Sequence, residues 1–141
     1  MRFWDSSAIV PLIVAQRFTP AMRARLKTDG EMAVWWGSVV ECGSAIVRLE
    51  REHHLSRSAA TTVLANLDEL AARWQEVQPV TMVREIARRL LRTHALRAAD
   101  ATQLAAALVV AEQRPASLEF VCLDDRLSEA AEKEGFPIVR S

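Results

Sequence analysis

From Leu104 to Ala111 the residues are apolar on every face of the helix they would form, so that helix must be wrapped on all sides. The segment opens as Leu96-Arg97-Ala98-Ala99-Asp100-Ala101-Thr102-Gln103, which puts one carboxylate at the mouth of a buried helix. A carboxylate there is either a cap or a ligand. Whatever else converges on Asp100 decides which.

The chain has 141 residues and half are apolar, which suits one domain over residues 1–141 with a substantial core. Lys and Arg number 18 against 18 Asp and Glu, so no global field advertises a nucleic-acid or membrane partner. Lys27 and Lys133 are the only lysines; the arginines suit bidentate grip on phosphate or carboxylate. Cys42 and Cys122 are too few for a disulfide framework or a zinc set and read as small core residues. The apolar run Ala8 to Ala15 is too short and wrongly flanked for a signal peptide or membrane span. A cytoplasmic protein is expected.

Arg2-Phe3-Trp4 reads as a short strand running into Asp5-Ser6-Ser7, which suits the cap of a helix Ala8 to Ala15 with Pro11 near its first turn. Thr19-Pro20 reads as an N-cap and first helical proline, opening a helix closed by Gly30. Met32 to Trp36 has the pattern of a strand buried on both faces. A long helix from Ser38 to about His53 follows, and Ser56 caps another with the stripe Ala60, Val63, Leu64, Leu67, Leu70, Ala71 and Trp74. Gln75 to Val80 holds a short strand. Thr81 to His94 is amphipathic, with Val83, Ile86, Ala87, Leu90 and Leu91 inward and Arg84, Arg88, Arg89 and Arg92 outward. Leu118 to Leu123 is a strand, Asp124 or Asp125 caps a helix Arg126 to Glu134 ended by Gly135, and Ile138-Val139 is a last strand. Strands alternating with helices, without hairpin turns, imply an α/β fold with a parallel sheet of about four to five strands and helices on both faces. Ligands of such sheets bind beyond the carboxyl ends of the strands.

On that edge fall Asp5, Glu41, Asp100 and Asp124. Singly, each has a structural reading: Asp5, Asp100 and Asp124 as caps, and Ser38 with Glu41 as a capping box. Such caps contribute about 1 kcal/mol each. Together the balance changes, because two like charges 4 Å apart repel by roughly 4 kcal/mol at an effective dielectric of about 20. Either the groups are spread, or some are protonated, or a divalent cation sits among them. Oxygen ligands without histidine or thiol select Mg²⁺ or Mn²⁺, which suits metal-assisted phosphodiester chemistry. Ser7 either adds a hydroxyl to the metal, holds Asp5 in place, or is a plain helix cap. Arg97 and Arg126, each within three residues of a proposed ligand, steady substrate phosphate or offset carboxylate charge.

Asp5-Ser6-Ser7, Glu41, Leu96-Arg97-Ala98-Ala99-Asp100-Ala101 with Leu104-Ala105, and Phe120-Val121-Cys122-Leu123-Asp124-Asp125-Arg126-Leu127 with Glu129-Ala130-Ala131 and Gly135 resemble, in order and spacing, the motifs of PIN-domain ribonucleases, especially the bacterial VapC-type toxins. The resemblance spans nearly the whole chain. It implies a PIN-like fold and a Mg²⁺- or Mn²⁺-dependent endoribonuclease in which Asp5, Asp100 and Asp124 bind metal and Glu41 positions it or activates water. It also implies an RNA substrate, tRNA or rRNA among the candidates, a cognate antitoxin whose tail lies across the site, and a toxin homodimer. Departures are Trp4 for a small aliphatic residue, Ser6 for threonine, and Cys122 for threonine or serine. Asp125 adjoins Asp124 and competes for its role, though the register of Arg126-Leu127 favours Asp124.

Arg84, Arg88 and Arg92 form a basic stripe that is either a solvated helix face or a track for a phosphate backbone. Trp35 and Trp36 could stack an unpaired base, with at least one of them expected in the core. His53, His54 and His94 end helices, where cations complement the dipole. Among rivals, an aspartate-nucleophile phosphatase needs a second Asp where Ser7 stands, and a phosphoacceptor receiver needs a late lysine that neither Lys27 nor Lys133 supplies. A PIN fold kept only as a binding module is the non-enzymatic alternative.

Overall fold

A computed structural model describes all residues, Met1–Ser141. The elements run β1 (Arg2–Trp4), α1 (Ser6–Ile13), α2 (Thr19–Thr28), β2 (Met32–Trp35), α3 (Ser38–Arg51), α4 (Arg57–Ala71), β3 (Gln75–Val77), α5 (Thr81–Thr93), α6 (Ala98–Val110), a 3₁₀ turn Pro115–Ser117, β4 (Phe120–Val121), α7 (Asp125–Lys133) and β5 (Ile138–Val139). The five strands are all parallel, in the order β3-β2-β1-β4-β5.

Strand periodicity divides the core in two. Phe3, Ala33 and Phe120 pack on one face with α5, α6 and α7, whereas Trp4, Val34 and Val121 pack on the other with α1 to α4. Because both faces are covered, β2 and β4 are apolar throughout, whereas the edge strand β3 is Gln-Glu-Val with its first two residues exposed. Helix α6 is the most enclosed element: Leu104 to Ala107 are fully buried and Leu108 nearly so, as an all-apolar helix requires. At its amino end Asp100 is only half-buried.

Several boundaries differ from expectation, each for a local reason. Asp5 accepts the Ser7 backbone N–H at 3.0 Å and is itself the N-cap, so α1 starts at Ser6 and Pro11 falls inside the helix, not near its first turn. Thr19 does not cap α2. Its hydroxyl donates to the carbonyls of Pro11 and Val14 and accepts from the Gln16 N–H, tying the α1–α2 connection. Helix α2 ends at Thr28 with Asp29, not Gly30, at the C-cap. Strand β4 is only Phe120–Val121: the Leu118 N–H closes the 3₁₀ turn on the Pro115 carbonyl, and the Leu123 N–H turns to the Ser7 hydroxyl. Leu91, expected inward, is 43 % exposed, and Trp36 lies beyond β2 at 51 % exposure. By contrast Ser56 caps α4 through the Ala59 N–H, and Gly135 takes the positive φ of +106° that ends α7.

Candidate functional site

The strand order reverses about β1: the chain moves outward through β2 and β3, then crosses back to place β4 on the other side of β1. Beyond the carboxyl ends of β1, β2 and β4 a cleft opens, in two connected parts of about 890 and 290 Å³. Glu41, Asp100 and Asp124 line both parts, and Asp5 lines the inner one. The topology thus brings together four carboxylates that arrive from four separate segments.

Asp5 ends β1 and is 4 % exposed. Burial pushes its carboxyl up, against hydrogen bonds from Ser7 that pull it down, and the charge of Asp100 raises it further. The Cys122 thiol also donates to it, at 3.6 Å. Glu41 projects from the first turn of α3, and burial, opposed by a Gln103 hydrogen bond and assisted by Asp5 and Asp100, raises it to about 7. Asp100 is raised by burial and then by Asp124, with Arg97 and Arg126 acting against the shift. Burial, rather than the like-charge repulsion anticipated from sequence, is therefore the larger cause at all three positions. Asp124 caps α7 by accepting the Leu127 N–H at 2.8 Å. None of the four carboxylates forms an ion pair.

Asp125 lines only the outer part of the cleft and pairs with Arg140, so Asp124 is the inner residue of the two. Ser7 is committed to protein: its N–H holds Asp5 and its hydroxyl accepts the Leu123 N–H at 2.9 Å. Arg97 and Arg126 stand on the cleft wall.

The capping box read at Ser38 and Glu41 does not form, since α3 has no side-chain cap. Both side chains instead accept from one donor, the Gln103 amide Nε2, at 2.7 Å each. Gln103 is fully buried and its Oε1 has no partner. Sequence reasoning passed over it. The signal was available: one polar amide at the head of an apolar run, three residues after Asp100. Arg48, also on the wall, was likewise passed over, although it shares a helix face with Glu41 at i+7.

No three acidic, histidine or cysteine side chains converge as a ready-made metal ligand set. The oxygen-only donors nonetheless fit a hydrated hard cation, because Mg²⁺ keeps several waters and needs one or two carboxylates. The charge of Asp100 raises Asp5, those of Asp5 and Asp100 raise Glu41, and that of Asp124 raises Asp100, so the groups lie within electrostatic reach.

No protein-family model matches the sequence, and no curated protein matches it. Solved structures do. FitAcB from Neisseria gonorrhoeae aligns with a TM-score of 0.67 at 18 % identity, covering 98 % of this chain and 96 % of that one. PAE2754 from Pyrobaculum aerophilum gives a TM-score of 0.67 at 20 % identity, covering 98 % and 88 %. FitAB bound to an IR36 DNA fragment gives 0.68 at 16 %, covering 99 % and 94 %. At this identity the likeness is one of fold, and the fold is PIN-like, in line with the resemblance carried by the motifs.

Proposed function

We propose that this chain is a Mg²⁺- or Mn²⁺-dependent endoribonuclease acting as the toxin of a toxin–antitoxin pair. One observation carries the reading: Asp5, Glu41, Asp100 and Asp124 line a single cleft without an ion-pair partner, three of them held above the ordinary carboxylate range, beside Arg48, Arg97 and Arg126. A hard cation and a phosphate group complete that charge pattern.

Asp5, Asp100 and Asp124 would hold the ion. When bound, it supplies Lewis acidity toward a phosphodiester and makes water more acidic. Glu41, with Oε2 fixed by the Gln103 amide and a carboxyl at about 7, is matched to accept or release a proton near neutral pH. Arg97 and Arg126 grip the phosphate and keep it in register with the carboxylates. Ser7 holds Asp5 in place through its N–H, and the packed shaft of α6 keeps Asp100 facing the others.

A cognate antitoxin that covers the cleft, and a homodimeric toxin, belong to the same reading. The FitAB assembly bound to DNA supports the partner. Purified protein should cut RNA with Mg²⁺ or Mn²⁺ and not with EDTA, and Glu41→Gln should lower kcat by about 10²- to 10⁴-fold. Cleavage by Asp100→Asn at the wild-type rate would contradict the assigned site.

A second reading, a binding module on the same fold, is favoured by one feature: Asp5, Glu41 and Asp124 are each already engaged by a protein donor, and no three ligands converge. Metal binding by the wild-type protein with no cleavage of any RNA would support it and overturn the first.

A further inference from the structure

Parts of two features read from the sequence, Arg84 and Arg88 of the α5 arginine stripe and Trp35 of the tryptophan pair, meet in one place. A cleft of about 310 Å³ lies between α5, the start of α6 and the end of β2. Its apolar walls come from Trp35, Val83, Ala87 and Leu91, with Arg84 and Arg88 one helical turn apart along it. Neither arginine forms an ion pair, and no acidic side chain lines the cleft. The volume sits at the lower end of the about 300–1,000 Å³ of ligand pockets, a size for one planar ring system rather than a larger ligand.

We infer that this cleft is a base-binding subsite for single-stranded RNA, in which one unstacked base lies against the Trp35 indole and the adjoining phosphates rest on Arg84 and Arg88. The inference rests on the nuclease reading of the acidic cleft for its substrate. The indole is built into position: a Cβ on Gly37 would meet Trp35 Nε1 at 2.6 Å, so only glycine lets the ring lie over the turn that starts α3. Trp36, outside the lining, meets the Trp35 ring edge-on at 6.4 Å and is half exposed. Aromatic walls with flanking arginines are how single strands are held without pairing.

Position connects this cleft with the acidic one. Ala98 and Thr102 of α6 line the apolar cleft, and Asp100 between them lines the acidic cleft, so the two flank the first turn of one helix. A helix with its side chains is about 10–12 Å across. A strand that joins the two clefts therefore crosses one helix width.

The test is binding of a labelled, unstructured RNA of about ten nucleotides, a length that reaches both clefts, followed by fluorescence anisotropy in EDTA so that cleavage plays no part. The double variant Arg84→Gln/Arg88→Gln should raise Kd about tenfold and reduce the salt slope by about 1.4. Trp35→Leu should raise Kd about tenfold with a smaller change in slope. Arg23→Gln/Arg51→Gln, on other exposed surfaces, should bind as wild type, and thermal melts should show the arginine variants as stable as the parent. If wild type binds and both cleft variants bind as tightly with an unchanged slope, the subsite is overturned while the nuclease reading stands. If wild type does not bind RNA in EDTA, the subsite is overturned, while the nuclease reading, whose acidic cleft takes a phosphate only with its cation, is decided separately by the cleavage assay in Mg²⁺ or Mn²⁺. If the arginine variant instead changes the sedimentation of a dimer and leaves RNA binding intact, the face belongs to a protein partner and the inference is wrong.

Discussion

Two groups of carboxylates in this protein face opposite electrostatic fates. In the cleft, Asp5, Glu41 and Asp100 are buried or half-buried, repel one another, and are pushed up. On α7, burial also acts upward on Glu134, but hydrogen bonds from Arg89 and His94, at 3.0 and 2.7 Å, more than offset it and hold it below its ordinary value. Burial is common to both; a direct ion pair is not. Glu134 is paired within its own chain, whereas the cleft carboxylates form no ion pair and only Arg97 and Arg126 act, from a distance, against the shift of Asp100. On the proposed reading, a carboxylate cluster kept in that state receives a cation from outside the chain.

Divalent metal is the strongest way to break this comparison. At a hundredfold excess over Kd, Mg²⁺ or Mn²⁺ should stabilise the wild-type protein by about 3 kcal/mol. Asp100→Asn should lose most of that gain while being more stable than wild type without metal, because the change removes a carboxylate raised by burial and by Asp124. Melting temperatures with and without metal check both signs. A variant destabilised in EDTA would show that the acidic cluster is ordinary structure.

At the other group the sign reverses. Glu134→Ala leaves His94, whose side chain is 7 % exposed, without its acceptor and should cost about 2 kcal/mol by chemical denaturation. Because the pKa of Glu134 is lowered, its contribution is present above the ordinary value of 4.5 and is lost as pH falls through the folded-state value. Glu41 runs the other way. Raised from 4.5 to about 7, it favours the metal-free fold at low pH, and that advantage is lost as pH rises through about 7. After solvent screening of a half-buried group, the loss between those values should be about 1–2 kcal/mol, and Glu41→Gln should flatten it. The smallest effect belongs to Asp125→Asn, on an exposed pair with Arg140, which should leave melting and metal response unchanged.

Much of this arrangement is legible in residue order. The apolar run of α6, the strand-ending Asp5 and Asp124, and the absence of hairpin turns lead to a parallel sheet whose carboxyl edge gathers acids. Local chemistry also reads well where one residue settles it, as with the Ser56 cap and the turn at Gly135. The misreadings share a cause. Ser38 and Glu41 look like a capping box because the sequence shows only neighbours, and the group that claims both, Gln103, lies 62 residues from Glu41. Thr19 looks like a cap, yet its hydroxyl serves carbonyls in α1 and the loop after it. Leu91 fits the inward stripe of α5 by periodicity, but the wall it would pack against is the open cleft beside Trp35. Long-range donors and unfilled space have no local signature.

The same limit explains why His94 reads from sequence only as a helix-end cation. Its partner, Glu134, is 40 residues away on α7. The pair fastens the end of α5 to α7, next to the loop that delivers Arg97 and Asp100 to the cleft. One paired carboxylate thus stands beside the cluster that has no ion pair.

Carboxyl chemical shifts followed by NMR across pH, with and without Mg²⁺, test the central claim most directly. Glu41 should titrate near 7 in EDTA and at clearly lower pH in saturating Mg²⁺, while Glu134 titrates below its ordinary value in both. A Glu41 titration that does not move with Mg²⁺ would contradict the claim that the cleft is built to receive a divalent cation.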